Sequence, residues 1–208
     1  MAESIFIFSI PIEIWALIVS ILAIIIALLK DFILPWFYKP KLKFKYTDSN
    51  PFRRENVIIN RNPQLKGTFL RFMIKNIGNK SAINCRCQIL RVLKNGKKYG
   101  DYQGFPLKWA SRPESVINQA SGERLNIARG ESEFIDIAVT ANNNSFIHLQ
   151  KYHNVDIGIK EVIEAGEYDI IVIFSGDNFK PYNLKFHINR GDTTDPNDVS
   201  LELIKYWN

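Results

Sequence analysis

The sequence predicts an all-β domain of two antiparallel sheets packed face to face, preceded by one N-terminal transmembrane α-helix. Three observations lead there. Residues 14–29 (IWALIVSILAIIIALL) carry no charge. Beyond residue 38 the chain changes to short runs of alternating apolar and polar residues, broken by Gly, Asn, Asp and Pro. About eight such runs fall in the remaining chain, the number and spacing of a two-sheet sandwich. The 208 residues then divide into a short segment 1–13, a membrane helix with its interfacial anchor over 14–38, and a sandwich over 39–208.

The helix comes first. Eleven of its sixteen uncharged residues are Ile, Leu or Val, each contributing about 0.3–0.6 kcal/mol of insertion free energy, so the segment favours a bilayer by roughly 3–7 kcal/mol. It is expected to extend back through Ile12 and forward through Lys30, whose long stem can carry its charge to the headgroups. Pro11 suits the first turn and Pro35 the end. Trp15 and Trp36 fall about 32 Å apart on a continuous helix, the spacing of two interfacial aromatic belts. A cleaved leader fits less well, because Glu3 and Glu13 replace a basic start and Lys30-Asp31-Phe32 offers no small-residue cleavage site. Lys30, Lys39, Lys41, Lys43 and Lys45 follow the span and no Lys or Arg precedes it, which places the sandwich on the cytoplasmic side. Cys85 and Cys87 are the only cysteines. One residue apart on a strand, their Cα atoms lie roughly 6.5 Å apart with unfavourable geometry for a bridge, so reduced thiols are expected. The triplets Asn79-Lys80-Ser81 and Asn143-Asn144-Ser145 have the form of glycan acceptors and point to the opposite side.

The strands follow in order. Lys41–Tyr46 alternates lysine with Leu42, Phe44 and Tyr46. Leu70, Phe72 and Ile74 alternate with Arg71, Met73 and Lys75, and Ile83, Cys85, Cys87 and Ile89 with Asn84, Arg86 and Gln88. Each run offers one face to a core. Further strands are expected over 124–128, 133–140, 145–150, 168–175 and 183–188. A chain of this length buries roughly 70% of its unfolded surface and needs neither disulfide nor metal. In Glu164-Ala165-Gly166-Glu167-Tyr168-Asp169-Ile170 a turn glycine and a tyrosine open a strand, the layout of a tyrosine whose hydroxyl bonds back to the backbone at a crossover. Leu201–Trp207 fits either a short amphipathic helix or a last strand.

These residues carry a resemblance. The stretch LRFMIKNIGNKSAINCRCQILRV over 70–92, with Asn76, Gly78 and Ala82 between two strands, resembles the opening hairpin of the immunoglobulin-like domains known as cell-adhesion-related domains in bacteria. Arg129-Gly130-Glu131 and Ala165-Gly166-Glu167-Tyr168, each before a strand, are similar to that type's later turns. An apolar helix followed by Pro35-Trp36 and Lys39-Pro40-Lys41-Leu42 is similar to many uncharacterised prokaryotic single-pass proteins carrying such a domain. The resemblance implies an immunoglobulin-like Greek-key sandwich and no chemistry. The type's usual setting is extracellular and adhesive, opposite to the side the lysines indicate.

Charge is unevenly spread. Residues 39–112 hold 18 Lys plus Arg against 3 Asp plus Glu, a net of +15, whereas residues 113–208 hold 8 against 15, a net of −7. Lys39, Lys41, Lys43 and Lys45, at period two directly after the helix, suit anionic lipid headgroups, at about 1 kcal/mol each. The remaining basic residues are expected to pair across neighbouring strands with the acidic half. Nucleic-acid binding would need exposed stacking aromatics or a reading helix, and neither is evident. The candidate binding surface is the loop-rich stretch 95–121, with Lys97, Lys98, Tyr99, Tyr102, Lys108 and Arg112, while Trp109 within it is expected to plug the core.

Catalytic signatures are missing. No GxSxG elbow, glycine-rich phosphate loop or HExxH is present. His148, His153 and His187 lack a metal-binding spacing, and Cys85 reads as a small core residue. The sequence therefore points to a non-enzymatic interaction module without cofactor or metal, a cytoplasmic domain tethered at the membrane and binding a protein partner. Two alternatives stand beside it: a membrane-anchored sensor or effector taking an anionic ligand such as a nucleotide, and an extracellular adhesion or envelope domain of reversed topology.

Overall fold

The structure, a computed structural model, describes residues 11–30, 38–59, 62–112, 124–151 and 161–208. The chain divides into two units, Met1–Lys39 and Pro40–Asn208.

In the first unit one helix, α1, spans Ile12–Leu28. Pro11 precedes it with extended backbone (φ −52°, ψ 143°) and no side chain caps its first turn. Ser20 turns its hydroxyl back to the Ala16 carbonyl at 2.8 Å, and every residue of the helix is exposed. The transmembrane helix expected over 14–38 is corrected here. With 17 residues α1 is roughly 25 Å long, short of a hydrocarbon core of about 30 Å. Among the described residues no helix is long and apolar enough to cross a membrane. The expected single-pass architecture therefore loses its basis. Trp15 lies exposed on α1 and Lys30 exposed just past its end, whereas Trp36 falls outside the described residues.

The second unit is all β. Its strands are β1 (Leu42–Lys45), β2 (Arg53–Ile59), β3 (Asn62–Asn76), β4 (Ala82–Lys94), β5 (Lys97–Lys98), β6 (Phe105–Pro106), β7 (Lys108–Trp109), β8 (Leu125–Ile127), β9 (Ser132–Ala141), β10 (Ile147–Leu149), β11 (Val162–Ile163), β12 (Gly166–Ser175), β13 (Tyr182–Arg190) and β14 (Val199–Trp207). Among the described residues they form two seven-stranded sheets. The first runs β1-β3-β9-β10-β11, with β2 also on β3 and β7 also on β9; the second runs β14-β13-β12-β4-β5, with β6 and β8 also on β4. With β3 beside β9 and β4 beside β12, this two-sheet sandwich is compatible with an immunoglobulin-like arrangement.

Alternation sets the core. Leu42 and Phe44 of β1, Leu70, Phe72 and Ile74 of β3, and Ile170, Val172 and Phe174 of β12 all turn inward. The sheets meet through ring contacts, Phe72 with Phe186 at 5.0 Å and Phe44 with Phe174 at 5.6 Å. Trp109 is fully buried against Phe174 at 6.2 Å, the plug its sequence context indicated. Each such ring withdraws apolar area worth about 1.5–3 kcal/mol. Asn95 and Gly96, at φ 52° and 74°, make the tight two-residue turn that joins β4 to β5. At Gly67 the first sheet closes up so far that a Cβ would collide with the Thr140 carbonyl oxygen.

Three details differ from expectation or settle it. Tyr168 is buried at the start of β12, but its hydroxyl makes no bond to the backbone; the Lys94 ammonium lies over its ring, 5.1 Å from the centroid. Ile83, read as a core position, is exposed. Leu201–Trp207 belongs to a last strand, paired along β13 with a bulge opposite Lys185 and Phe186.

Candidate interaction surfaces

The lysine row stands on β1 and the residues before it. Leu42 and Phe44 are buried while Lys41, Lys43 and Lys45 are exposed, so period two puts the cations on the outer face. Pairing with β3 sets Lys43 directly opposite Lys75, and neither forms an ion pair with a described residue. Like charges facing each other across strands are unfavourable. Lys45 is steadied differently, over the Phe52 ring at 5.7 Å.

The stretch chosen as a binding surface separates into three places. Lys97 and Lys98 are exposed on the β4–β5 hairpin, where Lys98 meets Asp101 at 3.4 Å. Tyr99 and Tyr102 stack at 6.5 Å, and Tyr102 is buried. Tyr99 in turn packs edge-on against Tyr168 at 5.1 Å, so both rings lie at the core's edge. Lys108 sits on the other sheet beside Asp136 of β9, and Arg112 follows β7, half-buried.

Pairing between the basic and acidic halves occurs where their strands are neighbours. Arg71 of β3 meets Asp136 of β9 with 2.9 Å between Nε and Oδ1. Burial pushes the Asp136 carboxyl above its ordinary pKa, against the opposing pull of Arg71. On the second sheet the pairing stays within the acidic half, where Asp169 of β12 holds Lys185 at 2.8 Å and His187 at 3.1 Å from β13.

The surface that sequence reasoning missed lies on the outer face of the first sheet. Phe69, Val139 and Ala141 point outward from β3 and β9 and form the floor of a groove of about 430 Å³, walled by Ile58, Ile59 and Leu65 from the β2–β3 hairpin. Polar groups rim it, among them Lys108, His148, Lys151 and Glu161, with Lys151 and Glu161 paired at 3.6 Å. Burial holds the His148 imidazole below its usual pKa. A sheet face turned to water ordinarily carries polar residues, whereas here the floor is apolar and Ile58 stands 54% exposed. Alternation within one strand could not reveal it, because the groove forms only where Phe69 of β3, Val139 of β9 and Ile58 of β2 meet in register.

Chemistry-bearing groups are sparse. Cys85 and Cys87 are free, buried thiols. Burial raises Cys85 to about 12 and Cys87 well above its ordinary range, which suppresses thiolate nucleophilicity. Among the described residues no group of three or more His, Cys, Asp or Glu could hold a metal ion; His153 falls outside those residues. The chain matches no family model, and no curated protein matches it.

Proposed function

We propose that this protein is a non-enzymatic interaction module of immunoglobulin-like type that works at a membrane surface on the cytoplasmic side and binds a protein partner through the outer face of its first sheet. The observation that carries this reading is the groove of about 430 Å³ on the outer face of the first sheet, floored by Phe69, Val139 and Ala141 and rimmed by polar residues. Apolar recesses with a few polar groups at the rim are the usual form of a recognition site. The exposed apolar helix α1 supports the membrane setting, since a surface hydrophobic on every side is stable only when lipid or protein covers it. The basic residues that follow suit the anionic cytoplasmic leaflet.

Photo-crosslinking in intact cells tests the partner. A photoreactive residue replacing Ile58 at the groove is expected to trap one discrete protein in the membrane fraction, and one replacing Glu202 on the opposite sheet is not. Identical patterns from both positions, or none from Ile58, would overturn the groove as the binding surface.

A further inference from the structure

The loops at one end of the sandwich are tied into a single surface. The Ile77 N–H donates to the Lys41 carbonyl at 2.8 Å, so the point where the chain enters the sandwich lies against the end of β3. Asn76, fully buried, donates its side-chain amide to the Lys80 and Ile127 carbonyls at 2.7 and 3.0 Å and accepts from the Gly78 N–H at 3.0 Å. The Gly130 N–H reaches the Asn76 carbonyl at 2.8 Å, which brings in the turn before β9. Asn178 accepts from the Ile83 N–H at 3.0 Å and donates to the Ser81 carbonyl at 2.9 Å, which brings in the β12–β13 turn. Trp207, at the end of β14, lies opposite Asn183 at the start of β13.

What this end displays is unusual in two ways at once. Its exposed large apolar residues are Ile77 at 48%, Ile83 at 41%, Tyr206 at 42% and Trp207 at 41%. Its exposed cations are Lys41, Lys80, Arg129 and Lys180, with the facing pair Lys43 and Lys75 just behind. The acids nearby are engaged within the protein: Glu131 accepts the Ala128 N–H at 3.0 Å, and Asp177 lies 3.9 Å from Arg124 and accepts from Asn84. Lys205 leans over the Trp207 ring at 5.3 Å, an aromatic and a cation side by side. Apolar and indole groups seek the boundary between headgroups and acyl chains, and lysines seek lipid phosphates. A protein partner would more often meet arginine and aromatics around a shaped pocket, whereas the cations of this end are mostly lysines on loops.

We infer that this end of the sandwich docks directly on an anionic lipid surface, with Ile77, Ile83 and Trp207 entering the interface and Lys41, Lys80, Arg129 and Lys180 meeting phosphates. The inference rests on the membrane setting proposed above and adds to it an orientation. The sandwich stands with its chain-entry end on the lipid and its first-sheet groove turned sideways, open to partners confined to the same surface.

The test uses the full chain with vesicles, either wholly zwitterionic or roughly one-third phosphatidylglycerol. A nitroxide is attached at Ser81→Cys, or as a control at Asn95→Cys on the far hairpin; Cys85 and Cys87 are too buried to compete. Flotation of protein with vesicles reads the membrane setting, and accessibility of the nitroxide to a water-soluble relaxant reads the docking. In anionic vesicles the label at position 81 is expected to be shielded, the label at position 95 to remain in water, and Lys80→Gln or Lys180→Gln each to lower the docked-to-undocked ratio roughly five-fold. Salt near 1 M, where the screening length is about 3 Å, should release the end while leaving the protein on the vesicles. A label at position 81 that stays in water while the protein floats, or shielding indifferent to headgroup charge, would overturn the docking alone. Failure to float would overturn the membrane setting and the docking with it.

Discussion

Replacing Asn76 with alanine is the most informative single perturbation of the fold. The side chain is 0% exposed and makes three hydrogen bonds that join the β3–β4 turn to the end of β8. Water can replace the bond to the Lys80 carbonyl, because that residue is exposed. It cannot easily replace the other two, since Gly78 and Ile127 are buried. A buried donor or acceptor left without a partner costs about 1–3 kcal/mol, so the two left by Asn76→Ala should cost about 2–6 kcal/mol. For a domain of this size that is a drop in melting temperature of roughly 5–20 °C. Urea unfolding of the full chain in mild detergent measures it, with an unchanged dependence on denaturant if the folded state is otherwise intact. Asn189→Ala is the comparison, an exposed asparagine whose side chain, among the described residues, bonds to Glu167 at 3.4 Å, for which a change within about 0.5 kcal/mol is expected. A loss for Asn76→Ala below about 1 kcal/mol, or no larger than that of Asn189→Ala, would refute the reasoning.

Two further outcomes follow from groups with displaced pKa values. Burial pushes the Asp169 carboxyl up, but hydrogen bonds from Lys185 and His187 outweigh it and hold the group below its ordinary range. Its contribution is therefore present above the unfolded value near 3.9 and drains away as pH falls through the folded value. Urea unfolding should find Asp169→Asn less stable than the parent at pH 7 and about equal to it near pH 2; an equal deficit at both would contradict the pairing. Cys85, raised to about 12, and Cys87, raised further, should resist a maleimide at neutral pH in the folded chain and react fully in urea. Rapid labelling of the native protein would place them elsewhere than in the core.

How much was legible in the sequence depended on whether a pattern was local. β1, β3, β12 and β13 announce themselves by alternation, and their inward residues are those that the period selects; in β4 the period holds from Cys85 to Ile89 but not at Ile83, and in β9 residues 135–141 are all buried. β2 gave no such signal because it is a border strand whose pairing with β3 slips twice, so its residues do not keep to one face. β5, β6, β7 and β11 are two residues each, too short for any period. In β14 a bulge breaks the alternation, which is why LELIKYW suits a helix as well as a strand. The membrane helix differs for a physical reason: a run of apolar residues sets insertion energy, but crossing also needs length, and the described α1 has 17 residues, too few to span the hydrocarbon core. Among the site residues, the lysine row was readable because period two on one strand is local. The groove was not, because it depends on Phe69, Val139 and Ile58 meeting across three strands whose register only the fold provides.

The membrane setting is the claim on which the rest depends, and one measurement addresses it directly. Cells expressing the full chain are broken without detergent and the extract is placed beneath a density gradient. The protein is expected to rise with the lipid and to remain there after a wash in concentrated salt, because α1 presents apolar side chains on all sides. Recovery of the folded full-length chain in the lipid-free lower fractions would contradict it.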